Sequence, residues 1–407
     1  MPILAFLRDN APWLAAGVLL TFLSSFGQTF FISVFAGEIR AEFGLSHGEW
    51  GGIYTLGTAA SAIVMVWAGG LTDRFRVRWL GAAVLLLAML ACLFMAANTA
   101  AWALPLVVFA LRFTGQGMTS HIAVVAMSRW FVATRGKALS VATLGFAGGE
   151  ALMPLLFVTL MLYFDWRLLW VLAGVIAVAG IPVLLALLRR ERTPQSMAHA
   201  DQALGMLARH WTRNQALTHW LFWFMVPALL GPSAFNTAFF FHQVHFAEIK
   251  AMPHVELVAM FPFYTATSIG AMVLSGWALD RLGTARLMPF MQLPMVAAFA
   301  IFAVAGNPLA MLAGFFFLGL TTGANTTLPN AFWAEFYGTG NLGSIKAMAA
   351  AIMVLGSAIG PGLTGLAIDL GLGIETQYLI VAGYFVFATV MMAIGIAKAR
   401  PMLSLPP

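Results

Sequence analysis

Long apolar runs separated by short polar breaks dominate the chain, and the breaks recur at nearly regular intervals. They predict helices near residues 12–36, 49–71, 79–97, 102–126, 138–162 and 167–188, then 217–243, 255–279, 286–305, 308–331, 344–368 and 376–397. Each run is long enough for a helix to cross a hydrocarbon layer of about 30 Å, whereas a barrel strand would alternate over about 10 residues. A polar stretch from Arg189 to Asn214 separates the runs into two sets of six.

The expected fold class is an all-α integral membrane protein with twelve transmembrane helices in two six-helix bundles. The bundles are residues 1–188 and 217–407, joined by a cytoplasmic linker at 189–216. Composition removes the soluble alternative: 61% of the 407 residues are hydrophobic and 9% charged, against about 25% charged in soluble domains. The first apolar run is too long for a signal peptide and lacks a cleavage site, so it is expected to stay in the mature protein. The single cysteine, Cys92, lies in an apolar run and provides neither an intrachain disulfide nor a Cys-based metal centre.

The net charge of +6 is not gathered on a basic face, so nucleic acid is not an expected partner. Charge speaks instead to topology. With both termini on the same side of twelve crossings, seventeen of the 21 Lys and Arg residues fall on that side. Three, Arg40, Arg167 and Lys250, fall on the other, and Arg112 lies inside the fourth span. Positive loops are retained in the cytoplasm. Both termini are therefore expected there, in a multi-pass protein of the cell membrane and, for a bacterium, of the inner membrane.

The two sets also repeat in a fixed register. "GGLTDR" ends at Arg74 and "GWALDR" at Arg281, and the same shift of 207 pairs Thr58 with Thr265, Asp73 with Asp280, Gly149 with Gly356 and Pro154 with Pro361. Parallel repeats of this kind place a binding site near the bilayer midplane. Asp73, Arg74, Asp280 and Arg281 sit at cytoplasmic span ends. There the acids can meet helix N-termini and the arginines can pair with acids, a clasp that gates the transport path; the alternative is topology-setting charge alone.

Gly69 to Arg78, "GGLTDRFRVR", resembles the signature between spans two and three of the major facilitator superfamily, with Arg76 in place of its second glycine; the copy from Gly276 to Gly283 keeps that glycine. Arg112, Gly115 and Gly117 are similar to the family's span-four pattern, and "RWFVATRGKALS" (Arg129 to Ser140) to the organic-anion and monocarboxylate branches. Sugar-porter and drug-antiporter signatures are missing. The resemblance implies that fold, and secondary active transport by alternating access.

Few ionisable residues reach membrane depth. Arg112 lies ten positions past Trp102 and Glu150 thirteen past Lys137, so at about 1.5 Å per residue both approach the midplane. A guanidinium fork suits a substrate carboxylate, and Glu150 is expected to pair with Arg112 and to carry the coupling proton. The bland alternative is a static ion pair. Gln116 shares the Arg112 face, and His121, nearer the cytoplasm, is a second proton-carrier candidate. Gln28, Asn236, Asn325 and Asn330 are candidate substrate ligands, or interhelical hydrogen-bond glue.

"GPSAF" and "GSAIGPG" mark breaks or close packing in spans seven and eleven. His242, His245 and Glu248 form a possible proton or metal site, and "HADQALGMLARHWTRNQ" reads as an interfacial helix in the linker. The expected function is transport of a small polar, anionic metabolite in symport with protons. The rivals are an exporter of lipophilic drugs and a membrane enzyme or sensor, for which no motif is present. No cofactor or metal is implied, and the expected partners are the small-molecule substrate, protons and the lipid bilayer.

Cysteines introduced at Arg76 and Arg286 are expected to react with an impermeant maleimide only from the cytoplasmic side, and one at Lys250 only from outside. Labelling of any of them from the opposite side overturns the topology.

Overall fold

The computed structural model describes residues 3–131, 134–190 and 204–403, and among them it is helical with no strand. Eleven long apolar helical segments meet the length and hydropathy that a bilayer demands, when a bent pair is taken as one span. They are α1 (Ala11–Gly27 and Thr29–Phe43, bent by 47°), α2 (His47–Ala68), α3 (Val77–Ala97), α5 (Gly136–Met161), α6 (Trp166–Leu187), α7 (Trp220–Phe241), α8 (His254–Leu282), α9 (Thr284–Val304), α10 (Pro308–Tyr337), α11 (Ser344–Asp369) and α12 (Ile374–Leu403). The twelfth, α4, is continuous over 104–130 but changes winding midway, from α-helix Leu104–Leu111 through π-helix Arg112–Thr119 to α-helix Ser120–Trp130.

Contacts divide the chain into two compact units. Unit 1 comprises Met1–Ala198 with Phe240–Ala247 and Pro253–Ala259, and unit 2 comprises His199–Phe239, Glu248–Met252 and Met260–Pro407. In unit 1, α3 packs on α6, α1 on α5 and α2 on α4; in unit 2, α9 packs on α12, α7 on α11 and α8 on α10. The pairings are the same six helices apart, as the 207-residue repeat requires.

Lipid is as apolar as leucine, so helices associate in it through close packing and hydrogen bonds. The repeat glycines serve that packing. A side chain on Gly149 of α5 would collide with Ser25 of α1, and one on Gly356 of α11 would lie 2.8 Å from the Leu230 carbonyl of α7. Thr21 of α1 adds a hydrogen bond of 2.5 Å to the Ala142 carbonyl of α5. Of the two segments marked by glycine and proline, the one in span seven winds as a π-helix, Pro232–Asn236, whereas α11 runs through Pro361 as a regular helix.

Part of the polar stretch between the two sets, residues 191–203, lies outside the described residues. Beyond it, Met206 and Trp211 are buried in the core of unit 2 with Trp333, Phe336 and Tyr337. The Trp211 N–H donates to the Tyr337 carbonyl at 3.1 Å. The expected interfacial helix is therefore replaced, in its described part, by a short 3-10 turn, Met206–Ala208, and a six-residue helix, Arg213–Thr218. Apolar side chains that would have faced lipid face protein instead.

On the side of the chain opposite the arginine-rich loops, each unit closes with an ionic clasp. In unit 1, Arg167 of α6 pairs with Glu42 of α1 and donates to the Ala96 carbonyl of α3 at 2.6 Å. In unit 2, Lys250 pairs with Glu375 of α12 and donates to the Ala303 carbonyl of α9 at 2.9 Å. The three anchoring positions match under the repeat shift to within one residue, but acid and base have changed places. In both units the cation satisfies a carbonyl at a helix C-terminus, where positive charge is favoured.

This inversion makes a test. Glu42→Lys or Arg167→Glu alone sets like charges together and is expected to cost about 1–3 kcal/mol of stability. The double swap reproduces the arrangement of unit 2, with a lysine free to reach the Ala96 carbonyl, and is expected to recover most of that loss in thermal melts. A double variant as unstable as the two singles combined would show that the clasp is not what holds these ends.

Candidate functional site

The site grows from the break in α1. Gln28 adopts an extended conformation (φ −86°, ψ 154°) between the 3-10 turn Ser24–Gly27 and the helix that resumes at Thr29. The Phe31 and Ile32 N–H groups both turn to the Gln28 carbonyl, and the Gly27 carbonyl accepts instead from Arg112 Nη1 at 3.1 Å. An interrupted helix inside a membrane must have its freed backbone groups satisfied by protein, and the arginine does this.

Arg112 is brought there by the π-helix that it begins. The wider winding shifts the register of α4 at Gly115 and Gly117, and Thr119 Oγ1 donates back to the Thr114 carbonyl five residues earlier at 2.7 Å. Gly115 has no room for a side chain: its Cβ would lie 2.6 Å from the Gly27 nitrogen. Backbone thus lies on backbone where the break in α1 meets the π-helix.

The guanidinium of Arg112 is 1% exposed. Nη1 also donates to Thr29 Oγ1 at 3.3 Å, the Thr29 hydroxyl is hydrogen-bonded to that of Tyr54 in α2, and the Tyr54 ring lies 5.2 Å from the guanidinium carbon. Nε and Nη2 are buried without a hydrogen-bond partner. The expected pairing with Glu150 is not formed, since no ion pair joins these two described residues. Glu150 is half-buried on α5, and the cation faces a carbonyl, a hydroxyl and an aromatic ring, all neutral. The arrangement can bind an anion through the two open donors.

The remaining sequence candidates fall in separate places. Gln28 is 7% exposed at the break itself, and Gln116 is half-buried within the π-helix that begins at Arg112. His121 lies with Nε2 3.3 Å from the Gly69 carbonyl, and Arg129 donates to the Thr72 carbonyl at 2.7 Å, so both tie α4 to the end of α2. Arg74 and Asp280 are exposed, and Arg281 stacks over Trp277 at 4.1 Å. The Asp73 side chain lies outside the described part of the structure.

In unit 2, Asn236 ends the π-helix of α7 with Oδ1 buried and without a partner. Asn325 and Asn330 of α10 line a cavity of about 170 Å³ with Trp333 and with Lys346 of α11, while Asn330 Nδ2 donates to its own helix at Thr326. Sequence reasoning had assigned Lys346 to topology alone. It also missed Thr29 and Tyr54, which hold Arg112; a tyrosine at the sixth position of a predicted span was the only trace. Among the described residues no group of His, Cys, Asp and Glu is placed to hold a metal ion.

Known structures share this architecture. The nucleoside transporter NupG superposes with a TM-score of 0.68 at 14% identity over 97% of this chain and 100% of its own. A bacterial homologue of the human lysosomal transporter Spinster, in an inward-facing and occupied conformation, gives 0.68 at 15% identity over 97% of this chain and 96% of its own. No curated protein sequence matches. The sequence model of the Major Facilitator Superfamily matches residues 17–308 and 256–406. With helical pairings that repeat six helices apart and a family match running nearly end to end, the chain belongs to the Major Facilitator Superfamily of membrane transporters.

Proposed function

We propose that this chain is a secondary active transporter that moves a small, polar, anionic metabolite in symport with protons. Arg112 binds the anion and Glu150 carries the proton. The observation behind this reading is the half-used fork of Arg112: one nitrogen anchored to the Gly27 carbonyl and Thr29, two buried donors open, and no carboxylate paired with it. An arginine at mid-membrane costs about 2.5–3.5 kcal/mol or more, and a buried cation without a counter-charge calls for an anion to complete it. Two open donors on a rigid plane suit a carboxylate better than a point charge does.

Glu150 fits the coupling role because it lies at similar depth and is not committed to a structural ion pair. When ionised it competes for Arg112 as the helices move; when protonated it leaves the cation to the substrate. Proton and anion then travel together, with the loops around Asp73, Arg74, Asp280 and Arg281 as cytoplasmic gates. Bundles 1–188 and 217–407, linked by 189–216, move as the two halves of an alternating-access cycle in an inner membrane, with both termini in the cytoplasm.

Uptake into proteoliposomes, across a panel of carboxylates, amino acids, nucleosides and lipophilic cations, identifies the substrate class. In Arg112→Lys, uptake of the anion found is expected to fall about tenfold or more, because an ammonium keeps the charge and loses the fork; the purified variant should elute as the wild type does. Wild-type uptake in Arg112→Lys, or a panel that yields only cations, overturns the anion reading.

Glu150→Gln mimics the protonated acid. Substrate counterflow is expected to persist while accumulation driven by an imposed pH gradient disappears. Intact pH-driven accumulation in this variant removes Glu150 as the carrier.

A further inference from the structure

A second polar cluster lies in unit 1, remote in role from Arg112, at the end of the spans opposite the arginine-rich loops. The segment Phe240–Ala247, which continues α7, packs against α1 and α2. His47, the first residue of α2, has its ring centroid 4.2 Å from that of His245 and 6.0 Å from that of His242. His242 is 3% exposed, and His47 and His245 are half-buried. Sequence spacing had joined His242 and His245 to Glu248; the structure brings in His47 from 195 residues away.

The same segment is fastened by neutral contacts. Gln243 is fully buried, donating from Nε2 to Ser33 Oγ at 2.7 Å and to the Phe30 carbonyl at 3.2 Å, and its Oε1 lies 3.3 Å from His254 Nε2. Phe241 stacks on Trp50 and rests on Tyr54 at centroid distances of 5.7 and 4.6 Å. Release of Phe240–Ala247 would therefore free the end of α7 next to its π-helix, and uncover Tyr54, which lies against Arg112.

The other titratable and charged groups on the elements gathered here are Glu38, Arg40 and Glu42 near the end of α1, Glu49 and Tyr54 on α2, Glu248 and Lys250 after the segment, and His254 and Glu256 on α8. Glu42 is held by Arg167, Lys250 by Glu375, Tyr54 by Thr29, and Glu49 closes the helix cap with Ser46. His47, immediately after the N-cap, also sits at the positive end of the α2 dipole. One proton can be shared within such a cluster, with nearby acids in support. A second places two imidazolium ions at ring contact, against the helix dipole and under partial burial, and the packed arrangement no longer holds.

We propose that His47, His242 and His245 form a proton-binding site which fastens Phe240–Ala247 to the ends of α1 and α2 when neutral, and releases it when multiply protonated. Histidine is the side chain that changes charge in the range a cell membrane meets. Acid on this face thus favours the open state of this end of the protein, whatever the substrate bound at Arg112. The site is a switch on access and does not depend on the anion reading.

The test uses the full chain in nanodiscs, with nitroxides on cysteines at Ala41, exposed at the end of α1, and Val244, half-buried on the segment itself; the native Cys92 is fully buried. Lowering the pH from about 8 to about 5.5 is expected to move the interspin distance distribution of the otherwise wild-type protein to longer values. In His47→Gln/His245→Gln the short-distance population is expected to persist at both pH values. His245→Gln alone, which alters one buried contact fewer, is expected to lose most of the pH response and guards against a misfolded double variant. A pH-independent distribution in the histidine-intact protein overturns the proposal, and so does a full shift retained in either variant.

Discussion

A helix interrupted inside a bilayer has to surrender a carbonyl to some donor other than water, and the Gly27 carbonyl finds one in Arg112. Much of unit 1 is arranged around that hydrogen bond. The 3-10 turn and the extended Gln28 create the acceptor, the π-helix of α4 carries the donor to it, and Gly115 and Gly27 let the two backbones touch. Thr29 and Tyr54 complete the cradle with uncharged groups. Because the cradle is neutral, no carboxylate compensates the arginine within it, and Nε and Nη2 are left without a hydrogen-bond partner.

The internal repeat shows how the two halves diverged from one scaffold. The segment of α7 that matches the α1 break under the shift of 207 is the π-helix Pro232–Asn236, so the same place in each repeat departs from α-helical winding in a different way. The position that matches Arg112 is Gly319, where a Cβ would stand 2.9 Å from the Tyr264 carbonyl of α8. No side chain fits there, so unit 2 has no counterpart of Arg112 at the matching position. The ionic clasps kept their anchoring carbonyls and exchanged the signs of their partners. Scaffold contacts were preserved where packing demanded them, and chemistry changed where a single side chain could change it.

The broad architecture was legible because lipid imposes a simple rule on sequence. Runs of apolar residues long enough to span it, positive loops between alternate runs and a fixed repeat register all followed from that rule. Arg112 was legible for the same reason, as a charge where charge is expensive. Its partner was not. Glu150 matched it in depth, but depth along a helix says nothing of azimuth, and the winding change at Arg112–Thr119 rotates everything that follows it. The linker misled for a related reason: an amphipathic pattern cannot reveal whether lipid or protein covers its apolar face, and Trp211 is covered by Tyr337.

The sequence by itself determined that the chain is a helical membrane transporter of two repeated halves, and it singled out Arg112 and Glu150 as charges within long apolar runs. Only the tertiary structure decided which groups meet. It gave Arg112 to the Gly27 carbonyl rather than to Glu150, joined His47 to His242 and His245, and set Lys346 in one cavity with Asn325 and Asn330. The physical reason is one of dimension. Hydropathy is a property of position along the chain, and it fixes depth in the bilayer. Hydrogen bonds and ring contacts depend on where each helix face points, which breaks, π-turns and glycine contacts set in three dimensions.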